Sequence, residues 1–400
     1  MAKPTILIQA PVFSRSGYGQ HSRDIILALF NSRKYNVSVA ATGWGGTSTT
    51  DNLPQDVMDI LTFVCNNPVR QDSEFTFVHV GIPSEFRRVS RKRNIGITAG
   101  IEATGLPPGW ADNCNQMDAI IVPSTFLRTL FIEGGVTVPV HAVGEGVDTS
   151  IFNPNVEYKL PISVSTTFNF LCVGQWMQQG PGEDRKGIGL LLQLFAREFE
   201  KDEHVGLVLK ATSINSSSPD SYFTRNRLNE IKAEKPFPKI YLVHGDMNDN
   251  ELAQLYRGTQ AFVMPTSGEG WGRPILEAAS CDLPILVTGW SGHMDFVDGN
   301  YATLFDYKLG QVPRSNWSQG LFQPTMQWAF PDPEDIVRKM RRCVEKYDVA
   351  KERAVKLGEI VRTKWSRKIT DEVLVKVFDS IIFSGGRVTT GQSAIGIQQI

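Results

Sequence analysis

Hydrophobic residues along the chain alternate between short, nearly continuous runs and longer stretches with one apolar helical face. Residues 5–10, 119–122 and 261–265 are short apolar runs, a pattern typical of buried parallel strands. Residues 190–199 instead place apolar side chains on one face of a helix. Strands and helices that alternate in this way predict a doubly wound α/β fold.

The order of strand, glycine-containing loop and helix begins twice, which predicts two domains. It starts at residue 5 and again at residue 168, after a polar stretch that follows Pro154. We therefore predict Rossmann-like domains at residues 1–158 and 159–365, followed by a helix and a flexible polar tail at 366–400. Residues 299–330 are long, aromatic and irregular, and we predict excursions without regular structure there.

Polar residues mark where several helices begin. Ser124 is predicted to cap the helix that follows the strand at 119–122. Asn248 and Glu251 have the spacing of a capping box. Asp332, followed by proline and two acids, is typical of a helix start.

Composition narrows the class of protein. The 400 residues suffice for two domains, and 41% hydrophobic and 21% charged residues are typical of a globular protein. The formal net charge of −1 provides no general attraction for nucleic acid or an acidic membrane, so such a partner would need a local patch.

The cysteines and the N-terminus suggest a cytoplasmic protein. The five cysteines are scattered without metal-ligand spacing, so we predict neither a disulfide framework nor a metal site. The chain enters a strand at once, without a signal peptide, and no apolar run is long enough to span a bilayer. We therefore expect a cytoplasmic location.

Residues 267–279 form the strongest candidate for a binding site. Glu269 and Glu277 bracket a glycine-rich turn between a buried strand and the start of a helix. Paired carboxylate oxygens accept hydrogen bonds from the neighbouring hydroxyls of a sugar, and free N–H groups at a helix start favour phosphate. The alternative is an ordinary strand–turn–helix corner with exposed acids.

Other candidates lie at loop junctions and strand ends. Arg185 and Lys186 precede a helix, where cations and N–H donors make an anion site, although a surface pair is the alternative. Glu102 follows a strand predicted at residues 95–101, and His79 lies in the strand at 75–80, where a core histidine is equally consistent. The Gly17-x-Gly19 loop after the first strand is explained as well by a tight turn as by phosphate binding.

A basic cluster lies between two predicted strands. It comprises Arg87, Arg88, Arg91, Lys92 and Arg93. Such a cluster could hold the phosphates of a nucleic acid or a lipid headgroup, or it could be a solvated surface. We predict that it contacts an anionic acceptor.

These motifs together resemble the retaining, nucleotide-sugar-dependent glycosyltransferases of GT-B fold and family 4 type. The spacing of Glu269 and Glu277 is similar to the E-x7-E signature of that family, and Val173-Gly174 with Arg185-Lys186-Gly187 is similar to its diphosphate-binding segment. Further matches run from the N-terminus to about Trp365: Ser16-Gly17-x-Gly19, Glu102, Pro107, Trp110, Asp118, Pro123-Ser124, Gly146-Val147-Asp148 and Phe152.

The resemblance implies a fold and a reaction. Two Rossmann-like domains would face a cleft, with an acceptor-binding N-terminal domain, a donor-binding C-terminal domain and a last helix that packs back toward the first. The donor would be a nucleotide-sugar such as a UDP- or GDP-sugar, used as co-substrate without a cofactor or metal. The acceptor could be a glycan, a lipid-linked carrier, a protein or a modified DNA base, and the oligomeric state is left open.

The resemblance also implies roles for individual residues. Glu277 would hold the donor ribose, and Glu269 with the N–H groups of the following turn would hold the transferred sugar. Arg185 and Lys186 would neutralise the diphosphate, while His79 and Glu102 would lie on the acceptor side. With Glu269, these four are the predicted catalytic residues. The remaining donor-binding candidates are Gly268, Gly270, Trp271, Gly272, Gly17, Gly19 and, near the base, Gly245, Asp246 and Met247.

One position departs from the family pattern. Many members carry an arginine soon after the Val-Gly of the second domain, where this chain has Gln175. Arg185 could supply the missing charge; otherwise diphosphate binding would depend on Lys186 and helix N-termini.

Two other classes of function are kept open. Nucleotide-sugar 2-epimerases share the GT-B architecture, and epimerisation of a nucleotide-sugar without an acceptor would identify one. A non-catalytic sugar- or nucleic-acid-binding protein is the second, and loss of donor hydrolysis or transfer in Glu277→Ala would exclude it.

Overall fold

The computed structural model describes residues 3–47, 49–50, 53–70, 73–157, 159–177, 180, 182–232, 238–317 and 321–383. They form two compact units. The first unit runs to Ile101 and adds Gly105–Glu145 and the described residues from Lys368 to Phe383; the second comprises Glu102–Thr104 and Gly146–Arg367. The units therefore divide after residue 145, whereas the sequence places a boundary after residue 158. Of the helix and tail predicted at 366–400, the residues after 383 lie outside the described residues.

The first unit contains a six-stranded parallel sheet. Its strands are β1 (Thr5–Ala10), β2 (Asn36–Ala41), β3 (Thr76–Val80), β4 (Arg93–Ile97), β5 (Ala119–Val122) and β6 (Val140–Ala142), in the order β2-β1-β3-β4-β5-β6. Its helices are α1 (Gly17–Asn31), α2 (Gln55–Cys65), α3 (Trp110–Asn115) and α4 (Thr125–Glu133), together with α11 (Arg367–Phe383), which belongs to this unit from Lys368 onward. Apolar strand residues such as Ile8, Val78 and Ile95 are fully buried, because helices cover the sheet.

The second unit repeats this architecture. Its sheet is formed by β7 (Phe168–Gln175), β8 (Val205–Thr212), β9 (Lys239–Val243), β10 (Ala261–Met264), β11 (Ile285–Thr288) and β12 (Thr303–Phe305), in the order β12-β11-β10-β7-β8-β9. All pairs in this sheet are parallel. Its helices are α5 (Ile188–Phe199), α6 (Ser218–Lys232), α7 (Asp249–Gly258), α8 (Arg273–Ser280), α9 (Pro333–Glu345) and α10 (Tyr347–Lys364). The predicted α/β class with two doubly wound sheets is confirmed.

The predicted helix starts are also confirmed. The Ser124 hydroxyl accepts a hydrogen bond from the Leu127 N–H, and Asn248 and Glu251 form a complete capping box. The Asp332 carboxylate accepts from two backbone N–H groups in the first turn of α9. These local signals are reliable because the cap and its partner lie within one turn of each other.

Two predictions about element boundaries are wrong. The Gly17-x-Gly19 segment is the first turn of α1 rather than a loop, because the Ser16 hydroxyl accepts from the Gly19 N–H at 3.1 Å. The strand predicted at 95–101 ends at Ile97, and Gly100, with a φ of +68°, is not extended. Glu102 therefore lies beyond the strand, in a short segment of the second unit.

The segment at 299–330 is more regular than predicted. It contains β12 and then β13 (Tyr307–Gln311), which pairs with β14 (Gln327–Pro331) as an antiparallel hairpin. Trp328 is fully buried, so some of the aromatic residues in this segment are core residues of regular strands. Within the described chain, no helix is both long and apolar enough to cross a membrane.

Candidate functional site

The loop between β10 and α8 is held by neighbouring parts of the second unit. The Ser267 N–H donates to the Arg185 carbonyl at 2.7 Å, and the Gly268 N–H donates to the Thr266 hydroxyl at 3.3 Å. The Glu269 N–H donates to the Ser291 hydroxyl at 2.8 Å. Three successive N–H groups thus fix the first half of the loop.

The second half of the loop presents unused hydrogen-bond donors. No described residue accepts from the backbone N–H groups of Gly270, Trp271 or Gly272, which lead into the first turn of α8. Buried N–H groups normally have partners, so three consecutive free donors indicate a site for a ligand with acceptor oxygens. Only the backbone of Trp271 is available, because its ring packs 5.0 Å from those of Phe296 and Trp365.

Two glycines in the loop have steric reasons to be glycine. A Cβ atom on Gly268 would lie 2.9 Å from the Trp290 ring and 3.0 Å from Glu102. Gly272 has a φ of +96° and directly precedes α8. The loop therefore lies close to both Trp290 and Glu102.

The Glu269 carboxylate is buried in a cationic environment. The Lys186 ammonium donates to both of its oxygens at 2.7 Å, and the Thr266 hydroxyl donates at 2.9 Å. Arg185 lies 3.7 Å away. Burial alone would raise the pKa of Glu269, but Lys186 and Arg185 outweigh it, and the pKa lies below its ordinary value. Glu269 is therefore an anion at neutral pH.

Arg185 lies between the carboxylates of Glu102 and Glu269. One terminal nitrogen donates to the Gly268 carbonyl and lies 3.3 Å from Glu102 and 3.7 Å from Glu269. Burial lowers the pKa of Arg185, but the carboxylates more than compensate and its pKa is raised. These contacts use only one of its nitrogens, so further donors remain for an anionic ligand.

Asp184 and Gly187 position the segment that carries Arg185 and Lys186. The Asp184 carboxylate accepts from the Ile188 N–H at 2.7 Å at the start of α5, and burial raises its pKa. A Cβ atom on Gly187 would lie 2.2 Å from the Pro265 carbonyl, so only glycine permits this approach of the two loops. The Lys186 stem passes the end of β7, 3.6 Å from where a Cβ on Gly174 would lie.

Glu277 lies on α8, half-buried, and accepts a hydrogen bond from the Tyr256 hydroxyl at 3.0 Å. Burial and then the Glu277 charge raise the pKa of Tyr256, so its hydroxyl keeps its proton and remains a donor. The carboxylate is thus oriented by a fixed partner on α7.

The predicted base-binding segment follows β9. The Lys210 ammonium donates to the Gly245 carbonyl at 2.6 Å, and the Ser216 hydroxyl donates to the Asp246 carboxylate. Burial lowers the pKa of Lys210. Met247 is partly buried against the core of the unit. The segment is therefore held from β8 and from the loop before α6.

Four of the five predicted catalytic residues lie together, and the fifth lies in the other unit. Glu102, Arg185, Lys186 and Glu269 form one cluster. His79 is buried on β3 between the rings of Phe77 and Phe86, and its Nε2 lies 3.4 Å from Glu85. Burial lowers the pKa of His79, so it is neutral at pH 7. Gly17 and Gly19 also lie in the first unit, on α1.

The basic cluster of the first unit is partly neutralised. Arg88 donates to the Asp118 carboxylate at 3.1 and 3.3 Å, Arg93 lies 3.9 Å from the same carboxylate, and Lys92 pairs with Glu74 at 2.7 Å. Arg87 and Arg91 are exposed, and neither pairs with a carboxylate in the described part of the chain. These two arginines remain for an anionic partner.

Sequence reasoning missed Thr266, Ser291 and Tyr256. Thr266 directly precedes the candidate motif, and its hydroxyl could have been noticed there. Ser291 and Tyr256 lie 22 and 21 residues from their glutamate partners, and no local pattern connects them. Among the described residues, no group of His, Cys, Asp and Glu side chains could hold a metal ion.

The fold is that of GT-B glycosyltransferases. A glycosyltransferase from Rickettsia africae superposes with a TM-score of 0.64 at 13% identity, over 96% of this chain and 100% of that one. Anabaena HepE, in complex with UDP and glucose, gives 0.64 at 14% identity over 94% and 99%. The sucrose-phosphate synthase of Thermosynechococcus elongatus gives 0.63 at 12% identity over 95% and 99%.

Residues 167–309 of the chain match the family described as glycosyl transferases group 1. This range contains the Glu269 loop, both cations and Glu277. A probable sucrose-phosphate synthase from Thermosipho melanesiensis is 26% identical over 175 residues, which are 41% of this chain and 36% of the relative. The chain thus matches about a third of that relative's length.

Proposed function

We propose that the protein is a retaining glycosyltransferase that moves a sugar from a nucleotide-sugar to an acceptor hydroxyl. The observation that carries the proposal is the group of three free N–H donors beside the buried Glu269 anion. Donors and an acceptor side by side suit the alternating hydroxyls of a sugar and the oxygens of a phosphate. The match to glycosyl transferases group 1 and the GT-B fold support the same reaction.

The donor would contact the second unit at four places. Glu277 binds the ribose hydroxyls, and residues 245–247 bind the base. Glu269 and the N–H groups of Gly270–Gly272 bind the transferred sugar. Arg185 and Lys186 stabilise the diphosphate as negative charge develops on the leaving group, without a metal.

Retention follows from the direction of attack. The acceptor hydroxyl would approach the face of the sugar from which the nucleoside diphosphate departs, and its proton would pass to the leaving phosphate oxygen. This route requires no protein nucleophile. Glu269, paired with Lys186 in this structure, serves as a binding group in the proposal.

The first donors to test are UDP-sugars. HepE was solved in complex with UDP and with UDP-glucose, and GDP-sugars form the comparison series. Purified protein is incubated with each donor, with and without candidate acceptors, and nucleotide release is measured. We expect release from one class of donor, and mass spectrometry then identifies the acceptor product.

Glu277→Ala should lower nucleotide release by about 100-fold or more, because the ribose loses a charged, oriented acceptor. Glu352→Ala, which removes an exposed carboxylate on α10, is the matched control and should release nucleotide at the wild-type rate. Epimerised donor without an acceptor would identify the isomerase instead. Full release by Glu277→Ala would contradict the proposed ribose contact.

Arg87 and Arg91 are proposed to contact an anionic acceptor. The double reversal Arg87→Glu/Arg91→Glu should slow transfer to such an acceptor by about tenfold or more at low salt, because attraction becomes repulsion. Donor hydrolysis without acceptor should not change. Arg225→Glu, an exposed reversal on α6, is the control. Unchanged transfer to every candidate acceptor would exclude the contact.

A further inference from the structure

Ser291 has a backbone conformation that residues with side chains rarely adopt. Its φ is 87° and its ψ is −159°, a region occupied almost only by glycine. The residue is buried, directly beside the Glu269 loop. Strained residues of this kind persist only where the surrounding structure holds them, and they concentrate at functional sites.

The Ser291 segment holds both backbone polar groups of Glu269. The Ser291 hydroxyl accepts from the Glu269 N–H at 2.8 Å, and the next residue, Gly292, donates its N–H to the Glu269 carbonyl at 2.9 Å. A Cβ on Gly292 would lie 2.0 Å from the Gly270 carbonyl, so the two loops are in direct contact.

The segment is also anchored on its other side. His293 is fully buried, and its Nε2 lies 2.7 Å from the Thr288 carbonyl at the end of β11. Burial lowers the pKa of His293, so the ring is neutral and donates this hydrogen bond. The segment that holds Glu269 is therefore connected to β11, an interior strand of the sheet.

Ser291 binds one backbone N–H group of the loop between β10 and α8 and leaves the next three without a partner among the described residues. By accepting from Glu269, it satisfies the last N–H before the three free ones. It also fixes the Cα position from which the Glu269 carboxylate reaches Lys186 and Thr266. A glycine would adopt the same backbone without strain but would lack the hydroxyl.

We propose that Ser291 is a positioning residue, whose strained backbone brings its hydroxyl onto the Glu269 N–H and thereby fixes Glu269 for the donor sugar. This inference rests on the proposed function. It deepens that function by assigning the alignment of the sugar-binding glutamate to a residue outside the motif.

Two substitutions separate the hydroxyl from the strain. Ser291→Gly removes both the hydroxyl and the strain. Its melting temperature should therefore be at least that of the wild type and at most about 2–4 °C higher. Its kcat for nucleotide release should fall about tenfold, because Glu269 is no longer held in place. Ser291→Ala removes the hydroxyl but keeps the strain, so it should lose a similar factor in kcat without gaining stability. KM for the donor should change less than kcat, since the diphosphate and ribose contacts remain.

Arg33→Gly is the matched control. Arg33, at the end of α1 in the first unit, also has a positive φ, of 56°, so glycine there should stabilise the protein and leave kcat unchanged. A Ser291→Gly variant with wild-type kcat would overturn the inference, as would one whose activity falls only with its melting temperature. A wild type that releases no nucleotide from any donor would refute the proposed function first, and this inference with it.

Discussion

Lys186→Met is expected to lower the free energy of unfolding by about 3 kcal/mol, because it leaves the buried Glu269 carboxylate without its closest counter-ion. The Met side chain retains much of the Lys186 stem packing at the end of β7, so the loss comes mainly from the charge. Arg185, 3.7 Å from Glu269, compensates in part and keeps the effect at the lower end of the range for a broken buried pair. Scanning calorimetry should show a melting temperature lower by roughly 6–12 °C.

The double variant Lys186→Met/Glu269→Gln tests this explanation. With neither charge buried, it should recover most of the lost stability, since removal of both partners avoids an unpaired ion. It should nevertheless release no nucleotide, because both groups belong to the proposed donor site. Equal melting temperatures for the single and double variants would show that the loss comes from packing rather than from an unpaired charge.

The fold could be predicted from the sequence where its signals are local. The strands at 5–10 and 119–122 agree with β1 and β5 because each is a continuous apolar run with a turn at its end. The caps at Ser124, Asn248 and Asp332 act within one helical turn. The hairpin of β13 and β14 was missed because its strands pair across a long connection and one of them is exposed.

The candidate site could be predicted only in part, for the same reason. The glycine-rich turn and the Arg185-Lys186 pair are each visible as short motifs. The pairing of Lys186 with Glu269 spans 83 residues and depends on the adjacency of β7 and β10 in the sheet. The contact of Glu102 with Arg185 depends on a three-residue segment that belongs to the second unit, whereas the sequence predicts it at a strand end of the first domain.

The role of Arg185 can be tested together with Gln175, the residue that follows Val173-Gly174 in place of an arginine. In the proposed reaction Arg185 offers unused N–H donors to the diphosphate, so Arg185→Met should lower kcat for nucleotide release by about 10²–10³-fold. Arg185→Lys should retain part of the activity, because it keeps the charge but loses the planar fork that matches phosphate oxygens. Melting temperatures of both variants should be measured, since Arg185 also donates to the Gly268 carbonyl within the loop.

Gln175→Arg supplies the decisive comparison. Gln175 is the exposed last residue of β7, next to Gly174, where the Lys186 stem passes. An arginine there should leave the wild type little changed but restore part of the activity of Arg185→Met, because a positive charge returns at the end of β7, beside the Lys186 stem. Partial rescue would show that Arg185 supplies a charge equivalent to that of an arginine directly after Val173-Gly174. If Arg185→Met releases nucleotide at the wild-type rate, that role belongs to Lys186 and the helix N-termini instead.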